Sequence, residues 1–262
     1  MNYQPKKSLG QNFLTSLPAR EAIVKAGKLT ERDTILEIGP GKGFLTEGLL
    51  ASGPDVIAVE KDRELVSFLC ERFAEEIANK KLSIIEGDAL TLSPPHTSYK
   101  LIANIPYYIT GAILSRFLSH ERKPTHMAVL VQKELAERVV ARDGKESILS
   151  LAVKVYGSPR IAHRVSAGSF FPKPKVDSAV LSIENISGTN FKDEDHELAF
   201  FTLIKLGFSH KRKMLFSNLK EFYDEKKLLI IFKELSLSEK ERAENVTLEK
   251  WLYMSLALSR SL

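Results

Sequence analysis

Short apolar runs alternate with amphipathic stretches over the first two thirds of the chain, and beyond about residue 190 only the helical period persists. Runs at 35–38, 56–59, 82–85, 99–103 and 127–131, each bounded by Gly, Pro, Asp or Asn, predict five buried strands; 149–156 and 176–183 predict a sixth and a seventh. Between them, apolar residues recur at helical spacing: Phe44, Leu45, Leu49 and Leu50; then Leu65, Phe68, Leu69, Phe73 and Ile77; then Ile109, Ile113, Leu114, Phe117 and Leu118. A short amphipathic helix beginning near Pro18 precedes the first strand. Strand and helix in turn predict an α/β domain on a largely parallel sheet. The polar stretch 185–190 resembles a linker, and helices at 198–206, 214–222, 227–235 and 248–258 follow it. We therefore expect two domains, 1–186 and 187–262, the second small and helical.

The stretch 34–62 organises the first domain. Ile35-Leu36-Glu37-Ile38 runs into Gly39-Pro40-Gly41-Lys42-Gly43 and then the helix from Phe44, so a strand, a glycine-rich turn and a helix succeed one another. The next strand ends on Glu60. Glycines allow close backbone approach, the helix start offers unpaired N–H groups, and a carboxylate at a neighbouring strand tip can accept from a ribose diol. Lys42 is followed by Gly43 rather than Ser or Thr, which removes the P-loop reading. The dinucleotide phasing Gly-x-Gly-x-x-Gly fails at Phe44, although the acidic residue downstream suits that class. A nicotinamide enzyme and an S-adenosylmethionine (AdoMet) methyltransferase both remain open on these residues.

Two further strand tips narrow the choice. Asp88 follows the third strand and could accept from an adenine amine, or simply cap a helix. The fourth strand ends in Asn104-Ile105-Pro106-Tyr107, where an amide, a stiffened backbone and a ring together suit a planar base with an exocyclic amine. In open parallel sheets ligands bind beyond the carboxyl ends of the strands, so all these tips fall on one rim. Ser169-Phe170-Phe171-Pro172-Lys173-Pro174 can be neither a regular helix nor a central strand, and holds Phe170 or Phe171 where a ring could face a base. In the helical region Lys211, Arg212 and Lys213 form a cluster suited to phosphate.

Composition adds limits. The 262 residues carry 38 Lys and Arg against 33 Asp and Glu, a formal charge of +5, which suits a polyanion partner without requiring one. Cys70, beside the stripe of the 65–77 helix, reads as packing; a single cysteine excludes an intrachain disulfide and favours a reducing compartment. No Cys/His spacing suggests a metal, and no apolar run is long enough for a membrane span, so a cytoplasmic protein is expected.

Glu37-Ile38-Gly39-Pro40-Gly41-Lys42-Gly43 together with Asn104-Ile105-Pro106-Tyr107 resembles the rRNA adenine-N6 dimethyltransferases. Gln11-Asn12-Phe13-Leu14, the segment 170–180 and Arg242-Ala243-Glu244 resemble them too, so the likeness spans nearly the whole chain and is nearest the small-subunit branch. The resemblance implies a Rossmann-like, seven-stranded class I AdoMet methyltransferase domain with a small C-terminal helical domain. It implies a cofactor set of Gln11, Asn12, Leu14, Glu37, Gly39, Gly41, Glu60, Lys61, Asp88, Ala89 and Asn104, with Glu60 on the ribose and Asp88 on the cofactor adenine. Asn104 and the Ile105 or Pro106 carbonyl would orient the target N6, and Tyr107 and Phe170 would sandwich the base, Phe170 being preferred for its Phe-x-Pro-x-Pro register. Lys211, Arg212 and Lys213 would grip RNA. The implied reaction is N6,N6-dimethylation of two adjacent adenines in the 3′-terminal hairpin loop of 16S rRNA, within a partly assembled 30S subunit, by a monomer. The alternative acceptor is 23S rRNA, as in the macrolide-resistance branch. Rivals outside the family are an NAD-dependent oxidoreductase, an assembly factor without catalysis and a DNA adenine methyltransferase, for which the tail offers no obvious duplex reader.

Overall fold

The structure, a computed structural model, describes residues 3–6, 10–210 and 212–259. Among the described residues nine strands form: β1 (Phe13–Leu14), β2 (Thr34–Ile38), β3 (Asp55–Glu60), β4 (Leu82–Glu86), β5 (Lys100–Asn104), β6 (His126–Gln132), β7 (Ser158–Val165), β8 (Phe170–Phe171) and β9 (Ser178–Glu184). Seven make one sheet in the order β4-β3-β2-β5-β6-β9-β7. The first five of that order are mutually parallel, whereas β9 is antiparallel to both β6 and β7. The sheet is thus mixed, with β7 on one edge. The short β1 and β8 pair separately, Phe13 opposite Phe171 and Leu14 opposite Phe170.

The helices are α1 (Leu17–Ala26), α2 (Phe44–Leu50), α3 (Arg63–Arg72), α4 (Ala74–Ala78), α5 (Thr110–Ser119), α6 (Lys133–Val140), α7 (Ile148–Lys154), α8 (Glu194–Gly207), α9 (Leu215–Leu219), α10 (Glu225–Glu234) and α11 (Leu248–Ser259). On one face of the sheet Ile35, Val56, Ala58, Ile102, Ala128 and Val180 pack with Ile23 and Ala26 of α1, Leu45 and Leu49 of α2, and Leu69 of α3. Side chains alternate along a strand, so Leu36, Val59, Leu101, Ala103 and Val129, all buried, face the other way. That is why the central strands read as unbroken apolar runs.

Contacts divide the chain into two compact units, residues 1–137 with 157–186, and residues 138–156 with 187–262. A single cut after residue 186 does not describe 138–156. The expected strand at 149–156 is helix α7 instead. Ser147 caps it, its Oγ accepting from the Ser150 N–H while Ser150 Oγ accepts from the Ser147 N–H at 2.6 Å, a reciprocal cap that selects helix for an apolar stretch otherwise compatible with either state. The strand that completes the sheet is β7, which begins at Ser158-Pro159 where the sequence reads as a turn; Pro159 is tolerated there because an edge strand leaves one row of donors unused. The expected helix 65–77 breaks into α3 and α4 at Phe73, whose φ of −113° and ψ of 32° are not helical, and the Phe73 ring is buried against Gly43, where an added Cβ would lie 2.4 Å from it. Cys70 is exposed rather than packed.

Within the second unit, α8 and α11 pack through Trp251, which is wholly buried against Gly207 and stacks on Phe208 with centroids 5.8 Å apart. His196 Nε2 lies 3.0 Å from Ser255 Oγ, joining the same two helices. Among the described residues no helix is long and apolar enough to cross a membrane.

Candidate active site

Because β2, β3, β4 and β5 are parallel, their C-terminal ends share one edge, and a cavity of about 410 Å³ opens there within the first unit. That volume lies in the range of small-ligand sites. Gly39, Pro40 and Gly41 line it after β2, Glu60 and Lys61 after β3, Asp88 and Ala89 after β4, and residues 104–108 after β5. Segment 10–15 crosses the opening and contributes Gln11, Asn12, Phe13 and Leu14.

The carboxylates are held differently. Glu60 is buried, and its two oxygens accept from the Gly41 N–H at 3.1 Å and the Asp62 N–H at 2.9 Å. Burial raises its pKa, and those backbone bonds oppose the rise without cancelling it. The turn therefore aims this carboxyl, and its remaining lone pairs can meet a diol. Asp88 is anchored by Lys61 Nζ at 2.9 Å and by the Leu90 N–H at 2.9 Å. These two bonds, Lys61 first, keep its pKa below the ordinary value. It stays an anion and an acceptor.

At the other end Asn104 is half-buried, and its Nδ2 donates to the Asn12 carbonyl at 3.2 Å. That bond commits the amide nitrogen and leaves Oδ1 as the side chain's acceptor. Ile105 is buried beneath it, and Pro106 leads into a 3₁₀ turn, Tyr107–Ile109, that opens α5. The Pro106 carbonyl already accepts from the Ile109 N–H at 3.2 Å. Tyr107 Oη lies 2.7 Å from Ser178 Oγ, which fixes the ring's tilt.

Thirteen residues expected at the site line this cavity: Gln11, Asn12, Leu14, Gly39, Gly41, Glu60, Lys61, Asp88, Ala89, Asn104, Ile105, Pro106 and Tyr107. Two do not. Glu37 is fully buried between β2 and α2, with Oε2 accepting from Thr46 Oγ1 at 2.7 Å. Phe170 is 4% exposed and belongs to the core, whereas Phe171 is 66% exposed and lines the cavity. The β1–β8 pairing decides this, since adjacent side chains of a strand leave on opposite faces and Phe170 is paired with buried Leu14. Tyr108, also exposed at the cavity, was missed by sequence reasoning because nothing distinguishes it from its neighbour Tyr107. In the second unit Arg212 and Lys213 are exposed, Lys213 Nζ lying 3.3 Å from Glu221 Oε1; Lys211 lies outside the described residues.

The cavity fits an adenosine-bearing cofactor. A Cβ added at Gly39, whose φ is +67°, would project into the cavity with only the Asn104 carbonyl within 4 Å, at 3.9 Å, so this glycine leaves space that a side chain would fill. Buried Glu60, anionic Asp88 and backbone amides supply the acceptors and donors that a ribose, an adenine and an amino acid end require.

The family model described as ribosomal RNA adenine dimethylase matches residues 2–260. A ribosomal RNA small subunit methyltransferase A of Dehalococcoides mccartyi is 38% identical over 258 residues, covering 96% of this chain and 87% of that one. Its counterpart in Fusobacterium nucleatum is 34% identical over 258 residues, 96% of this chain and 97% of that one. Among solved structures, a dimethyladenosine transferase from Plasmodium falciparum superposes with a TM-score of 0.79 at 28% identity, covering 92% of this chain and 94% of that one. The 23S rRNA methyltransferase ErmE superposes equally, TM-score 0.79, at 23% identity over 94% of this chain and 99% of that one, a likeness of fold alone. The architecture is the class I Rossmann-like methyltransferase fold with a C-terminal helical extension.

Proposed function

The chain belongs to the ribosomal RNA adenine dimethylase family and is an AdoMet-dependent rRNA adenine dimethyltransferase, and from that premise we propose that its acceptors are two adjacent adenines in the 3′-terminal hairpin loop of 16S rRNA. What carries the choice of subunit is that relatives named for the small subunit match 96% of this chain at 34–38% identity. The enzyme acts as a monomer on a partly assembled 30S subunit. Arg212 and Lys213, with Lys211, contact phosphates through the helical unit, and folded RNA supplies recognition by shape and by its unpaired loop.

When bound, AdoMet supplies an electrophilic methyl group on a sulfonium. The chain's residues do the rest. Glu60 would hold the ribose hydroxyls and Asp88 the cofactor adenine, and Gly39 and Gly41 would line the methionine end. A flipped adenine enters at the β5 tip, where N6–H donates to Asn104 Oδ1 and to a backbone carbonyl. We assign that carbonyl to Ile105, since the Pro106 oxygen already accepts one bond. These bonds draw the nitrogen lone pair out of conjugation and aim it, so catalysis is mostly positioning and electrostatics. No strong base is needed, because the nitrogen becomes acidic once methylated and its proton passes to solvent.

Tyr107 and Phe171 stack on the target base. Phe171→Ala should therefore lower transfer about tenfold or more, at the scale of one lost stacking partner, with an unchanged melting temperature because the ring is exposed. Equal turnover by Phe171→Ala and parent in single-turnover assays would remove the ring from the site. The acceptor is tested by offering labelled AdoMet to unmethylated small subunits, large subunits and free rRNA in parallel, then mapping the modified nucleoside. N6,N6-dimethyladenosine at adjacent adenines near the small-subunit 3′ end is expected; label confined to large-subunit RNA would reassign the branch.

A further inference from the structure

Tyr3 is only 7% exposed although it stands at the start of the chain, and the side chain it meets, Asp62, is 1% exposed. Tyr3 Oη lies 2.6 Å from Asp62 Oδ2 and 2.8 Å from Gln11 Oε1. Lys6 Nζ reaches the same carboxylate at 2.9 Å, and the Lys6 N–H donates to Gln11 Oε1 at 2.8 Å. Asp62 in turn donates its N–H to Glu60 Oε1 and caps α3 by accepting from the Glu64 N–H at 3.0 Å. One residue beyond Gln11, the Asn12 carbonyl holds the Asn104 amide. A chain of bonds thus joins the carboxyl at the ribose end of the cavity to the amide at its acceptor end, through residues near the N-terminus.

We propose that Tyr3, Lys6 and Asp62 are positioning residues that fix Gln11 and Asn12 across the cavity, so that cofactor retention and the orientation of the Asn104 amide depend on one latch. The proposal rests on the methyltransferase reading of the cavity. Its electrostatics are consistent: burial alone would raise the Asp62 pKa, yet the bonds from Lys6 and Tyr3 outweigh it and hold the carboxyl low, while burial and the Asp62 bond push the Tyr3 phenol up to about 12. The outer contact of Lys6 with Glu64 is exposed, and pairs of that kind contribute little.

Tyr3→Phe keeps the ring and removes the hydroxyl, and Asp62→Asn keeps a helix cap while removing the charge. Calorimetric titration of each full-length variant with AdoMet, without RNA, should give a Kd raised about tenfold, the scale of a lost bond to a buried charge. Turnover on rRNA at saturating AdoMet should fall several-fold as well. The double variant should lose no more than the worse single variant, because both substitutions break the same link. Glu64→Gln should stay within about twofold of the parent. A merely structural role would lower the melting temperature and leave Kd and kcat alone. Parental Kd in Tyr3→Phe, or additive losses in the double variant, would overturn the latch. Should the variants bind AdoMet like a parent that methylates rRNA, the latch fails and the family reading stands; should they lose AdoMet while the parent binds it but methylates no RNA, the latch stands and the acceptor reading fails.

Discussion

Asn104→Ala should lower methyl transfer about 10²- to 10³-fold, the usual scale for deleting a group that stabilises developing charge on a reacting atom. The amide does two things here. Its Nδ2 is committed to the Asn12 carbonyl, and its Oδ1 is the acceptor that the proposed mechanism offers to an adenine N6–H. Alanine removes the acceptor while leaving the stacking rings, the Ile105 carbonyl and the carboxylates of the cofactor end where they are. The loss should therefore fall on kcat, with AdoMet affinity weakened by a few-fold at most through the freed Asn12 carbonyl. Single-turnover transfer to rRNA and AdoMet titration on the same preparation separate the two effects. Turnover within about tenfold of the parent would mean that a backbone carbonyl alone orients the amine, and Asn104 would then hold segment 10–15 through the Asn12 carbonyl rather than serve the chemistry.

The strand-tip lining of this cavity was legible in the sequence because each strand tip is a local event. Glu60 and Asn104 follow an apolar run directly and Asp88 follows one after Glu86 and Gly87, and parallel pairing brings such tips to one edge whatever the lengths of the helices between. Features set by distant pairing were not legible. Whether Phe170 or Phe171 faces the cavity depends on the register between β8 and β1, and a shift of one residue would exchange them. The run 149–156 has the composition of a buried strand, and only the reciprocal serine cap at Ser147 and Ser150 distinguishes it as helix. β7 was missed because a bulge between Ile161 and His163 interrupts its alternation, so that Arg160, paired with Ser182, and Arg164, paired with Ala179, fall on opposite faces of the sheet. Glu37 looked like a cavity residue from its place in the glycine motif, but strand alternation turns it away from Ile38, which does line the cavity, and into the interface with α2.

That placement makes Glu37→Gln the second substitution with a large expected effect, and its size should depend on pH. Glu37 is fully buried; Thr46 satisfies Oε2 and no hydrogen-bond partner reaches Oε1. Burial, with some repulsion from Glu60 and against the Thr46 bond, pushes its pKa up to about 8 from the ordinary 4.5. The folded protein then holds a proton that the unfolded chain has released throughout the window between those two values. Stability from this group is complete below the unfolded value and is lost as pH rises through the folded one. Glutamine has nearly the same shape and no charge, so the variant should match the parent near pH 4.5 and gain progressively above it, by on the order of several kcal/mol once the parent carboxyl is forced to ionise. Urea denaturation of the ligand-free protein at pH 5, 7 and 9 reads the difference directly. A gap that does not change with pH would show that the carboxyl does not titrate in this window. A variant less stable than the parent at pH 9 would mean that the charged form has a partner that holds it, and the buried acid would then be a fixed charge beneath the glycine turn rather than a proton carrier.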